Sequence, residues 1–145
     1  MTKLFIDCEF NGFNGQLISM ALVPEYPHII EPFYEVIDHD WPNYIIDEWV
    51  KNNVIPFLNK VPISYNDFQT KLKHYLGNFV KVELIADWPD DIKYFCQSLI
   101  TKPGEMFTTP IITMTYDRTT SASKSLIPHN ALQDAIAIRE SYLTK

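Results

Sequence analysis

Two cysteines, four glycines and no apolar run approaching the roughly 18 residues of a membrane-spanning helix set the first limits on this chain. Cys8 and Cys96 are too few for a disulfide framework, and neither has a neighbour at zinc-ligand spacing, so a reduced, cytoplasmic protein is expected. The N-terminus lacks the basic stretch and apolar core of a signal peptide. Positive charge is also scarce: 12 Lys plus Arg stand against 18 Asp plus Glu, a net charge of −6. That balance argues against gripping a long duplex through many phosphates. It leaves room for taking one strand end into a pocket where bound cations reverse the local sign. Apolar residues, by contrast, are plentiful. With 46% of the 145 residues hydrophobic and 14% aromatic, the chain is rich enough for one folded domain over residues 1–145 and too rich for disorder.

Leu4-Phe5-Ile6-Asp7-Cys8-Glu9-Phe10 is the stretch around which the rest is organised. Three apolar residues running into an acid predict a buried central strand. Side chains two apart share a face, so Asp7 and Glu9 stand side by side while Ile6 and Cys8 point the other way. Two buried neighbouring carboxylates are costly without a cation. Magnesium or manganese, which favour hard oxygen ligands, would resolve that cost. The alternative is that Glu9 ends the strand in water and Asp7 caps a turn. The pair alone does not decide between them.

Asn11 to Gly15 is a turn cluster. Residues 16–23 (QLISMALV) and 32–37 (PFYEVI) predict a second and third strand, forming an antiparallel meander with the first. Helical spacing of Ile45, Ile46, Trp49, Val50 and Val54 predicts a helix over 44–58, with Asp47, Glu48 and Lys51 outward. A second helix is predicted over 64–76, capped by Ser64 or Asn66 and stopped at Gly77. A strand at 81–86 (KVELIA) leads into Asp87-Trp88-Pro89-Asp90-Asp91. A helix then follows over 90–99, with Ile92, Phe95, Cys96 and Leu99 inward. A fifth strand spans 110–116 and a polar loop 117–128. The final helix spans 130–143, where Asn130 and Gln133 form an Asn variant of the capping box. Together these elements predict an α/β fold: a mixed five-stranded sheet, three strands in a meander plus two more, with helices on its faces.

The last motif is Pro128-His129-Asn130-Ala131-Leu132-Gln133-Asp134-Ala135. Asp134 falls in the first turns of the helix, where the helix dipole favours a carboxylate, and beside the buried stripe. His129 precedes the cap. An imidazole titrating near neutrality suits removal of a proton from water. A lone histidine at such a place is more often simply solvated, and its meaning comes from its company.

Asp7-x-Glu9 on a first strand, an Asp after a middle strand, and His129-x4-Asp134 at a late helix together resemble the DEDDh 3′–5′ exonucleases of the RNase H-like fold. That group includes RNase T, oligoribonuclease and proofreading subunits. The resemblance spans residues 4 to about 143 and is most specific at His129 to Ala135. Phe10-Asn11 and Leu17-Ile18-Ser19-Met20 are similar to a compact bacterial and phage subgroup of 3′–5′ exoribonucleases typified by a mycobacterial enzyme. The resemblance implies an RNase H-like sheet and a two-metal hydrolysis of single-stranded nucleic acid from its 3′ end, RNA favoured over DNA. It implies two Mg²⁺ or Mn²⁺ ions on Asp7, Glu9, Asp91 and Asp134, with Asp7 bridging and His129 as general base. Asp91, followed by Phe95 four residues on, fits the family's middle acid. Asp87 stands where the family usually has Asn and is the second choice.

Phe10, Phe13 and Trp88 flank the acid-bearing segments and are the candidates for stacking on terminal bases; packing within the fold is the plainer account of each. Arg118 and Lys124 are read as ordinary surface charges. No membrane contact is expected, and a homodimer is compatible with the resemblance. Other readings are a haloacid-dehalogenase-type phosphatase, whose Asp-x-Asp is missing, an RNase H-like endonuclease, and a binding module of the same fold without catalysis.

Overall fold

A computed structural model describes residues 1–40 and 45–145. Its strands are β1 (Thr2–Phe10), β2 (Leu17–Pro24), β3 (Phe33–Val36), β4 (Lys81–Ala86), β5 (Ile100–Lys102), β6 (Glu105–Met106) and β7 (Ile111–Tyr116). Its α-helices are α1 (Glu48–Asn53), α2 (Tyr65–Leu76), α3 (Pro89–Ser98) and α4 (Ala131–Leu143). Five strands make one mixed sheet in the order β3-β2-β1-β4-β7. β1, β2 and β3 pair antiparallel, while β1, β4 and β7 run parallel. The arrangement is the α/β five-stranded mixed sheet expected above, compatible with an RNase H-like fold.

β1 is central, and alternation along it feeds two cores. Leu4, Ile6 and Cys8 pack on one face with Phe68 and Leu72 of α2 and Phe95 of α3. On the other face Phe5 and Ile85 meet Ile138 of α4, and Ala21 and Val23 meet Ala131 and Ala135. The small alanines let α4 lie close to β2. β1 and β2 slip register between Glu9 and Phe10: Glu9 pairs with Ser19 but Phe10 with Leu17. The unpaired Ile18 joins a third cluster with Val36, Val50, Val54 and Leu58, seating α1.

Three expectations need correction. The helix expected over 44–58 is a six-residue α1 followed by a 3-10 turn at Ile55–Phe57. Tyr44 lies outside the described residues. Pro56 explains the break, because it has no N–H and its ring clashes with the preceding turn of an α-helix. Asp47 is exposed as expected but stands as the cap of α1, accepting the Val50 N–H at 3.2 Å, rather than within the helix, and Ile45 is 93% exposed. On α3 the buried residues are Asp91, Tyr94, Phe95 and Ser98, with Ile92 packed against the core as expected, Leu99 buried just beyond and Cys96 only half-buried. The β5–β6 hairpin was not expected; Pro103-Gly104, with Gly104 at φ 77°, turns it.

The remaining caps follow the sequence: Ser64 accepts from the Asp67 N–H, Gly77 ends α2, and Asn130 accepts from the Gln133 N–H. No helix among the described residues is long and apolar enough to cross a membrane.

The β1–β2 turn is closed by Asn11 N–H to the Gln16 carbonyl at 2.9 Å and Gly15 N–H to the Gly12 carbonyl at 3.0 Å. A Cβ on Gly15 would lie 1.8 Å from the Asn11 carbonyl oxygen, which is backbone and cannot yield cheaply. Gly15→Ala is expected to cost roughly 1–3 kcal/mol in urea unfolding. An unchanged unfolding midpoint would show that the turn relaxes freely.

Candidate metal centre

The strand, the mid-chain turn and the closing helix bring their acids to one cavity of about 690 Å³. It is lined among others by Asp7, Glu9, Asp87, Asp91, His129 and Asp134. Local structure accounts for each placement. Asp7 and Glu9 share the α4 side of β1. β1 outruns its pairing with β4, whose last partner is Ile6 opposite Ala86. The Cys8 N–H beyond that point donates to Asp91 Oδ1 at 3.1 Å, drawing the first turn of α3 against the free edge of β1. At the far side the His129 N–H donates to Asp134 Oδ2 at 3.2 Å. Asn130 secures the start of α4 by donating from Nδ2 to the Phe57 carbonyl at 2.8 Å.

Two groups of side chains offer ligand atoms within 4.8 Å of one another: Glu9, His129 and Asp134, and Asp7, Asp87 and Asp91. These groups could hold metal ions. Three carboxylate oxygens, Asp7 Oδ2, Asp91 Oδ2 and Asp134 Oδ1, are buried without a hydrogen-bond partner. No lysine or arginine is among the residues lining the cavity. Buried acceptors left open cost free energy, and acceptor-only oxygens at this spacing match the donor set of a hard divalent cation. The residues present fit a bound metal ion.

Electrostatics agree with that fit. Burial, followed by the charges of Glu9, Asp91 and Asp134, holds the Asp7 carboxyl well above its ordinary value. Burial and then Asp134 push Glu9 up to about 8. Burial and then Asp87 push Asp91 up to about 8, against the lowering donated by the Cys8 N–H. Burial also raises Asp134 and Asp87, and for Asp134 the His129 N–H works against it. Without cations the cluster therefore retains protons near neutral pH.

The two middle acids are both near Asp7. Asp91 is the more deeply buried and carries the open oxygen, while Asp87 is half-buried. Phe10, Phe13 and Trp88 all line the cavity, but differently. Phe10 is stacked on Tyr94 at 4.6 Å and packs against the core. Phe13 and Trp88 are 87% and 58% exposed. Lys124 lines a separate small cleft between the 117–128 loop and α4, away from the acids. Arg118 does not line the cavity.

Trp49 was missed. It lines the same cavity and meets the His129 ring edge-on, with centroids 4.8 Å apart and planes at 78°. Helical periodicity had assigned it to the core stripe. Trp49 does lie in α1, but Val50 is the residue that this helix buries, and nothing in the local spacing marks Trp49 as a neighbour of His129. No protein-family model matches the chain, and no curated protein matches it either.

Proposed function

We propose that the chain is a metal-dependent 3′–5′ exonuclease acting on single-stranded nucleic acid, with RNA favoured over DNA. The observation that carries this reading is the set of three buried, unpartnered carboxylate oxygens from β1, α3 and α4 with an imidazole beside them. Asp7, Glu9, Asp91 and Asp134 would hold two Mg²⁺ or Mn²⁺ ions, with Asp87 as second choice to Asp91. When bound, such ions stabilise charge on the entering and departing oxygens of a phosphodiester.

The chain's own residues do the rest. His129 takes a proton from water as its oxygen attacks the last phosphorus. The bond from phosphorus to the 3′-oxygen breaks and that oxygen takes a proton from solvent while His129 returns its own to solvent, releasing a nucleoside 5′-monophosphate and a strand one nucleotide shorter that ends in a 3′-hydroxyl. The His129 main-chain N–H holds Asp134, and the Cys8 N–H holds Asp91, so both acids are aimed before substrate arrives. Phe13 and Trp88 offer exposed faces on which unpaired bases stack. A net charge of −6 suits capture of a single strand end and little else of a polyanion. Two free thiols fit a reducing cytoplasm.

A 5′-labelled single-stranded RNA with Mg²⁺ or Mn²⁺ is expected to yield a ladder shortening from the 3′ end, abolished by chelation. Cleavage of a circular strand would instead support the endonuclease. RNA binding with no metal-dependent cleavage would leave the non-catalytic module.

A further inference from the structure

We propose that Trp49, held in place by Asn11, is a positioning residue that orients the His129 ring; this deepens the nuclease reading and rests on it for its kinetic consequence. A histidine base is effective when a third group fixes its ring. No hydrogen bond reaches either His129 ring nitrogen among the described residues, although its main-chain N–H is engaged by Asp134. Its backbone sits at φ 68°, a left-handed conformation uncommon for a residue with a side chain, which sets the direction in which the ring leaves the chain. Among the described residues, the aromatic ring that meets it is the Trp49 indole, edge-on at 4.8 Å.

Trp49 is badly placed for a mere core residue. It is 52% exposed, and Val50 is the buried residue of α1. A six-residue helix does not hold itself together, so something must fix where the indole stands. Asn11 does this from the end of β1. Its Oδ1 accepts the Asp47 N–H at 2.7 Å and its Nδ2 donates to the Ile45 carbonyl at 3.1 Å, reaching across 36 and 34 residues. The Asp47 carboxylate then caps α1, and Asn53 donates from Nδ2 to the Trp49 carbonyl at 2.9 Å. The segment that carries Asp7 and Glu9 thus also sets, through Asn11 and Trp49, where the imidazole stands relative to them.

Trp49→Ala is expected to lower kcat about threefold to tenfold, the scale of a lost aromatic pair, with Asn11→Ala acting in the same direction. In a His129→Ala background Trp49→Ala should have no further effect on single-turnover rates. Trp49→Phe should recover part of the loss and Trp49→Leu none. A loss that persists undiminished without His129, or a change confined to KM, would overturn the proposal. An activity-free arm uses ¹³C relaxation of histidine-labelled, cation-free protein, the His129 signal being assigned by its absence in His129→Ala. The ring should be ordered in the parent and mobile in both Trp49→Ala and Asn11→Ala. An equally ordered ring in all three overturns the proposal. A ring that loosens in a protein that hydrolyses no nucleic acid supports the contact and defeats the nuclease reading alone.

Discussion

Asp7→Asn is expected to abolish hydrolysis while making the cation-free protein more stable. The substitution keeps the side chain's shape and removes the charge that Glu9, Asp91 and Asp134 all act upon. Losing the Asp7 carboxylate from the group it forms with Asp87 and Asp91 is expected to remove several kcal/mol of transition-state stabilisation, a fall of about 10³-fold or more. The stability gain comes from the other direction. Glu9 and Asp91 have folded-state values of about 8, well above those of the unfolded chain.

Between the unfolded value near 4 and the folded value the native state binds more protons than the unfolded state, so stability falls as pH rises through that window. In chelator, the melting temperature should therefore drop from pH 5 to pH 8. Mg²⁺ or Mn²⁺ should restore it most strongly at pH 8, where the carboxylates are freest to ionise onto the ions. Asp7→Asn should flatten the pH dependence, melt higher than the parent in chelator at pH 8 by the equivalent of roughly 1–3 kcal/mol, and lose most of the cation response. A parent whose melting temperature is flat with pH and indifferent to both ions would contradict the metal centre outright.

His129→Ala is expected to lower kcat by about 10² to 10⁴, the usual contribution of a positioned general base. Cation-induced stabilisation should survive. The main-chain N–H that holds Asp134 is still present in alanine, so the acid stays aimed while only the imidazole is lost. Melting curves with and without Mn²⁺ separate this from the other role open to the ring, since His129 also offers a ligand atom beside Glu9 and Asp134. If His129→Ala loses the Mn²⁺ response, the histidine is a ligand and the proton acceptor must be sought elsewhere.

Much of the fold was legible because local signals and burial agreed. The alternation along β1 correctly put Asp7 and Glu9 opposite Ile6 and Cys8, and the caps at Ser64 and Asn130 fall where the sequence placed them. Periodicity failed at α1, where the same apolar spacing fits both a long amphipathic helix and a short helix with a 3-10 turn. Pro56 selects the second. The β5–β6 hairpin escaped because three-residue and two-residue strands are too short to show a period. At the centre, the convergence of Asp7, Glu9, Asp91 and Asp134 was carried by resemblance in motif order, since nothing in spacing alone places residues 7, 91 and 134 together. Trp49 was invisible as a neighbour of His129 because that contact spans 80 positions and depends on an asparagine bracket that sequence patterns do not encode.

α4 is both the bearer of Asp134 and the cover for the Phe5, Ala21 and Val23 side of the sheet. Until α4 docks, Glu9 lacks the neighbours His129 and Asp134 and one face of the sheet is bare, so a single packing event closes the core and completes the acidic cluster.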